Sequence, residues 1–188
     1  PLNMICPSHG VIWRKDPAQI VNKYLEWAKG YQENQISILY DTMWNGTRRM
    51  AEYIGEGIRE ADKDVAIKLF NVAETDKNDV LLEVFKSKAI MVGCPTINKA
   101  TSYATMGILE MMRGLLFKSK KAAAFGAYGW SGESPNIISE ELSKAGFEVV
   151  LEPHKETWYP DEEALKRCKE FGRNFVEKIK YLKVKRKE

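Results

Sequence analysis

The stretch Asp41-Thr42-Met43-Trp44-Asn45-Gly46-Thr47 has the composition of an anion site. It follows a short apolar run and leads into a helical pattern. Its backbone N–H groups therefore open a helix, where free donors and the positive end of the helix dipole favour a phosphate. Thr42 and Thr47 add hydroxyl donors, and Asn45 with Gly46 permits a tight backbone turn. The loop is not the Gly-x-x-x-x-Gly-Lys-Ser/Thr of nucleoside triphosphate sites, nor the Gly-x-Gly-x-x-Gly of dinucleotide sites. A Thr-x-x-x-x-Thr loop without lysine suits a terminal monophosphate held by neutral donors. The same residues also read as an ordinary polar loop that caps its helix. Arg48 and Arg49 follow as a solvated helical turn able to supplement a phosphate.

Two further loops carry ligand chemistry. Gly93-Cys94-Pro95-Thr96-Ile97-Asn98-Lys99-Ala100-Thr101 and Gly126-Ala127-Tyr128-Gly129-Trp130-Ser131-Gly132-Glu133 each follow an apolar run. Glycines in the second let backbone approach a flat ring closely. Tyr128, Trp130 and Trp44 can stack on such a ring or wall it from water, and Asn98 can hydrogen-bond its edge. Trp130 also reads as an aromatic closing a core edge.

These loops make sense only if the elements between them bring them together. From residue 36 onward strands and helices alternate. Strands are expected at Ile36–Tyr40, Val65–Phe70, Ala89–Gly93, Lys121–Tyr128 and Phe147–Leu151. Helices are marked by Met50/Ala51/Ile54/Ile58, Val80/Leu81/Val84/Phe85, Ile108/Met111/Met112/Leu115/Leu116, Ile137/Ile138/Leu142/Ala145 and Leu165/Cys168/Gly172/Phe175/Val176/Ile179. Gly146 is expected to end the fourth of these. Such an order predicts a doubly wound α/β domain with a five-stranded parallel sheet and helices on both faces. Its ligand would lie beyond the carboxyl ends of the strands, where these three loops converge.

Residues 1–35 stand outside the pattern. Leu2–Cys6 reads as a short strand, Asp16 as a capping carboxylate before Pro17, and Ile20, Tyr24, Trp27, Ala28 and Tyr31 as one face of a connecting helix. The expected organisation is this appendage, a domain over 36–181, and a basic tail over 182–188. Without an initiator Met, the chain is read as cut or excised from something longer.

Composition narrows the classes. The chain is 44% hydrophobic and 29% charged, which supports a packed core rather than disorder. A net charge of +3 gives no case for nucleic acid, and no apolar run approaches the ~20 residues of a membrane span, so neither partner is expected. Cys6, Cys94 and Cys168 are too dispersed for a Cys-x-x-Cys metal or redox motif, and a reducing cytoplasm is the natural compartment. His154, beside Pro153, reads as a surface residue.

The segments Tyr40–Thr47, Gly93–Asn98 and Phe125–Gly132 together resemble the flavodoxin-like domain of flavodiiron proteins, the A-type flavoproteins or flavorubredoxins. The resemblance covers nearly the whole chain. It takes in Cys6-Pro7-Ser8-His9-Gly10-Val11-Ile12-Trp13-Arg14, similar to the end of that family's metallo-β-lactamase-like domain. It implies FMN, with its phosphate in the loop formed by Thr42, Met43, Trp44, Asn45, Gly46 and Thr47. The isoalloxazine would lie between Pro95, Thr96, Ile97, Asn98 and Lys99 on one side and Ala127, Tyr128, Gly129, Trp130, Ser131 and Gly132 on the other. It further implies an electron carrier that takes electrons from rubredoxin or a similar small donor. These would pass to a diiron site, in a head-to-tail dimer, where oxygen or nitric oxide is reduced. His9 matches an iron ligand of that family, but its partner ligands are absent from this sequence. A diiron centre is therefore expected only in a parent protein that includes the missing domain.

Two other functions compete. A stand-alone FMN-dependent NAD(P)H:quinone-type reductase would share the fold, though the appendage has no role in it. A phosphoacceptor signalling domain needs an aspartate after the third strand, where this chain has Gly93-Cys94-Pro95.

Overall fold

A computed structural model describes residues 2–117 and 120–185. It divides into two compact units, residues 1–32 and 33–188.

In the first unit, Ile5 and Trp13 exchange backbone hydrogen bonds of 3.1 and 2.9 Å, an isolated antiparallel bridge where a longer strand over Leu2–Cys6 was expected. Helix α1 (Ala18–Ala28) follows. Its N-cap is Pro17, not Asp16. Asp16 adopts φ 51° and contributes its backbone carbonyl, which accepts from the Gln19 N–H at 3.2 Å, so its carboxylate caps nothing. Ile20 and Trp27 are half-buried, while Tyr24 and Ala28 are exposed.

The second unit alternates β1 (Glu33–Tyr40), α2 (Gly46–Ala61), β2 (Ala66–Asn71), α3 (Lys77–Lys86), β3 (Ser87–Gly93), α4 (Tyr103–Leu115), β4 (Lys121–Tyr128), α5 (Ser134–Lys144), β5 (Glu148–Val149), β6 (His154–Thr157) and α6 (Glu162–Lys185). All strand pairings are parallel in the order β2-β1-β3-β4-β5, with β6 also on β4. The chain order reverses between β1 and β3, which opens a crevice at their carboxyl ends.

The central strands are buried on both faces because helices cover both. Ile36, Ile38, Met91, Phe125 and their neighbours pack with Met50, Ile54, Ile58, Phe175 and Val176 of α2 and α6. The alternate residues Leu39, Ile90, Val92 and Ala124 pack with Val80, Leu109, Met112 and Ile138 of α3, α4 and α5. α5 ends as expected, with Gly146 at φ 88° and its N–H on the Ser143 carbonyl at 3.0 Å.

The fifth strand departs from expectation. Instead of one run over Phe147–Leu151, two short segments share that sheet position. β5 pairs with Lys121 and Ala122, and Val150 N–H still reaches the Ala122 carbonyl at 3.0 Å. Pro153 has no N–H to donate, and pairing resumes only at His154, with β6 alongside Phe125–Tyr128. His154 is consequently an inward-packed strand residue and not a surface one: its side chain is 16% exposed. α6 continues through Lys185, past the expected start of the tail; residues 186–188 of that tail lie outside the described residues.

Just before β4, Lys120 is buried and donates to the Phe85 and Ser87 carbonyls at 2.8 and 2.6 Å. Burial lowers its pKa from 10.5 to about 8. The unfolded chain then holds this proton over a range where the folded chain has released it. Folding is therefore favoured as pH rises from about 8 towards 10.5. Urea unfolding of the wild type and Lys120→Met at about pH 7.5 and about pH 9.5 is expected to show the wild type gaining relative to the variant at the higher pH. A constant difference would show that Lys120 keeps its charge in the fold.

Candidate functional site

At the carboxyl ends of β1, β3 and β4 the loops enclose a cavity of about 620 Å³, inside the ~300–1,000 Å³ typical of small-molecule sites. Thr42, Met43, Trp44, Gly46 and Thr47 line it from the first loop. Pro95, Thr96, Ile97 and Asn98 line it from the second, and Ala127, Tyr128, Gly129 and Trp130 from the third.

Of the residues expected at the site, Asn45, Lys99, Ser131 and Gly132 do not line the cavity. Three of them shape it. Asn45 takes φ 62° as the N-cap of α2, turning the first loop into the helix. Asn98 and Lys99, at φ 51° and 58°, form the centre of a tight turn closed by mutual Ile97–Ala100 hydrogen bonds of 3.0 and 2.8 Å. The turn presents Asn98 to the cavity and leaves Lys99 exposed. Gly132, at φ 71°, lies so close under the Tyr128 ring that a Cβ would sit 3.1 Å from it. Ser131 is exposed and donates to Glu133 at 2.8 Å.

Two lining residues were not read from sequence, Trp158 and Tyr159. They directly follow β6, whose pairing to β4 carries them to the same sheet end as the three expected loops. The Trp158 N–H donates to the Tyr128 carbonyl at 2.7 Å, and its indole meets Trp130 edge-on at 5.3 Å. A Cβ on Gly129 would approach the Trp158 ring to 3.0 Å, so an alanine there would push the indole by a few tenths of an ångström. The signal available in sequence was an aromatic pair seven residues past the expected end of the last strand at Leu151.

Among the described residues, no charged side chain lines the cavity. Arg48 is held by Glu52 at 3.0 Å, and Arg49 donates to the Tyr159 hydroxyl at 3.1 Å while lying 5.1 Å from its ring centre. The hydrogen bond to Tyr159 raises the Arg49 pKa further, keeping it charged behind the wall. In the loop that leads into α2 one polar side-chain atom is buried and unpaired. Thr42 Oγ1 is buried without a hydrogen-bond partner, and the first turn of α2 contains no acidic residue. Its leading N–H groups have no partners within the helix. A buried, unpaired hydroxyl is costly unless an acceptor reaches it.

His9 lies exposed in the first unit, and among the described residues it joins no group of three or more potential metal ligands.

A doubly wound parallel sheet, an uncharged aromatic cavity at its switch point and an open helix N-terminus at one end define a mononucleotide-binding domain. More specifically, the chain belongs to the flavodoxin family: residues 38–172 match the family model for flavodoxin. It is 51% identical, over 94% of its length, to the anaerobic nitric oxide reductase flavorubredoxin of Klebsiella pneumoniae, of which it covers 36%. The chain thus spans about a third of the curated relatives it matches. Among solved structures, rubredoxin oxygen:oxidoreductase from Desulfovibrio gigas superposes with a TM-score of 0.86 at 32% identity, covering 95% of this chain and 45% of that one. The flavodiiron protein from Giardia intestinalis gives 0.84 at 27% identity, with 94% and 44% covered.

Proposed function

We propose that this chain is the FMN-binding electron-transfer module of a flavodiiron-type oxygen or nitric oxide reductase. The observation that carries the reading is the cavity itself: uncharged, walled by aromatics, lined by the first residues of α2, Gly46 and Thr47, and by Thr42, whose Oγ1 is buried with nothing to bond. These residues fit FMN. Thr42, Thr47 and the first N–H groups of α2 would hold its phosphate. Pro95–Asn98 and Ala127–Trp130, with Trp158 and Tyr159, would enclose its ring. Bound there, FMN supplies the capacity to accept and release electrons; the protein's residues bind, orient and exclude water.

The resemblance to flavorubredoxin and to rubredoxin oxygen:oxidoreductase supports a rubredoxin-type donor and a diiron domain as acceptor. That domain would belong to a second subunit in a homo-oligomer, and His9 would be an iron ligand only with that domain present. The free cysteines are in keeping with a cytoplasmic setting, and no described helix is long and apolar enough to cross a membrane. A domain boundary near residue 33 fits an appendage joined to a self-contained flavin domain.

The test is titration of the flavin-free chain with FMN and with riboflavin, followed by flavin fluorescence. One FMN per chain is expected, with its emission quenched by the surrounding tryptophans. Riboflavin, which lacks the phosphate, is expected to bind at least ~100-fold more weakly, as loss of several charge-assisted hydrogen bonds requires. No uptake of FMN would overturn the reading. Steady NAD(P)H oxidation with a quinone as acceptor would replace it with the reductase alternative.

A further inference from the structure

We propose that His154, Glu156 and Cys168 form a site for one zinc-type divalent ion that clamps β6 to α6. The three side chains converge from two elements. His154 and Glu156, two residues apart on β6, share a face. Cys168 comes from α6. Their candidate ligand atoms all lie within 4.8 Å of one another. His154 Nε2 is 3.0 Å from Glu156 Oε1 and 3.6 Å from Cys168 Sγ. A tetrahedral zinc ion with ordinary bond lengths sets its nitrogen and oxygen ligands about 3.3 Å apart, and nitrogen and sulfur about 3.5 Å apart. The two His154 spacings are close to these, while the Glu156–Cys168 pair, within 4.8 Å, would have to close by up to about 1 Å on binding.

The surroundings are also those of a ligand set. Arg167 holds the other Glu156 oxygen, Oε2, at 2.6 Å, and its Nε lies 3.0 Å from Oε1. The guanidinium donates to both oxygens, so ligation through Oε1 would replace the longer Nε bond while Oε2 stays held, an outer-shell arrangement that orients metal-bound carboxylates. Phe171 stacks on the His154 ring at 4.9 Å and fixes its plane. Glu156 and Cys168 are buried, 5% and 0% exposed, against the apolar core between β6 and α6. A mixed nitrogen, oxygen and sulfur set suits zinc-type ions. Binding would transfer the thiol proton to solvent and leave a fourth position for water. It would also anchor the four-residue strand that runs directly into Trp158 and Tyr159.

The test is titration with Co²⁺ alone, as a coloured stand-in for zinc, using the full chain carrying Cys6→Ser so that the exposed thiol cannot contribute. One Co²⁺ per chain is expected, with a thiolate charge-transfer band in the difference spectrum that Zn²⁺ abolishes by displacement. Zn²⁺ should also raise the melting temperature. Cys168→Ala should lose the band. His154→Phe keeps the ring stacking on Phe171 and serves if the cysteine variant does not fold. It should weaken binding by more than the ~10–100-fold that loss of an outer-shell partner costs. Absence of a band and of a melting shift would overturn the proposal, as would a band unchanged in the variants.

Discussion

Gly57→Ala is expected to destabilise the chain by more than about 3 kcal/mol, and Gly172→Ala by a similar amount, the upper end of what overpacking a core costs. Both glycines lie where α2 and α6 press together. A Cβ on Gly57 would sit 1.9 Å from the Lys169 carbonyl oxygen and 2.9 Å from its Cα. A Cβ on Gly172 would sit 2.2 Å from the Ile54 carbonyl oxygen and 3.1 Å from the Ile58 nitrogen. The obstructing atoms are backbone, so no side-chain rotation relieves the clash. The helices must separate, and that opens space around Ile54, Ile58, Phe175 and Val176, which are at most 1% exposed. Alanine's better helix propensity offsets only about 1 kcal/mol of this. Gly107 and Gly114 in α4 provide the opposite case, since an added Cβ there meets nothing within 4 Å. Gly107→Ala and Gly114→Ala should stabilise by roughly 0.5–1 kcal/mol. Urea midpoints of the four variants check both signs. If Gly57→Ala fell within about 1 kcal/mol of wild type, the close helix approach would not be what holds this face together.

The second large effect concerns the site. Thr42→Val is expected to raise the Kd for FMN by roughly 10–100-fold while leaving the flavin-free chain as stable as before, or slightly more so. A hydroxyl bonding a charged phosphate contributes about 1.5–3 kcal/mol, and each 1.4 kcal/mol is tenfold in affinity. Without ligand, Thr42 Oγ1 is buried and unpaired, so replacing it with a methyl group removes a desolvation cost and no hydrogen bond. Riboflavin affinity should barely change. Fluorescence titration with both flavins and urea unfolding of the empty chain separate the possibilities. Equal weakening of FMN and riboflavin would place Thr42 against the ring and not the phosphate. A loss of stability in the empty chain would show that the hydroxyl already has a partner.

Much of the scaffold could be read without coordinates. Near-continuous apolar runs at Ala89–Gly93 and Lys121–Tyr128 belong to strands covered on both faces. Helical spacing at Met50, Ile54 and Ile58, or at Cys168, Phe175 and Ile179, marks the stripes that cover them. The loops after β1, β3 and β4 were legible as ligand loops because the order of elements places them at one end of the sheet. Where local signals misled, a backbone constraint decided. Pro17 took the cap position expected of Asp16. Pro153 split the last strand position in two. Asn98 and Lys99 share one turn in which only Asn98 reaches the cavity.

From the residues alone came the alternation of strands and helices, the doubly wound class and three of the walls around the cavity, since periodicity and turn chemistry act over a few neighbouring positions. The fourth wall, Trp158 and Tyr159, required the tertiary structure, as did the convergence of His154 and Glu156 on Cys168. His-Lys-Glu-Thr has no strand signature of its own. It becomes β6 because β4 offers unpaired backbone groups at Phe125–Tyr128, a partnership between segments nearly thirty residues apart that no local pattern encodes.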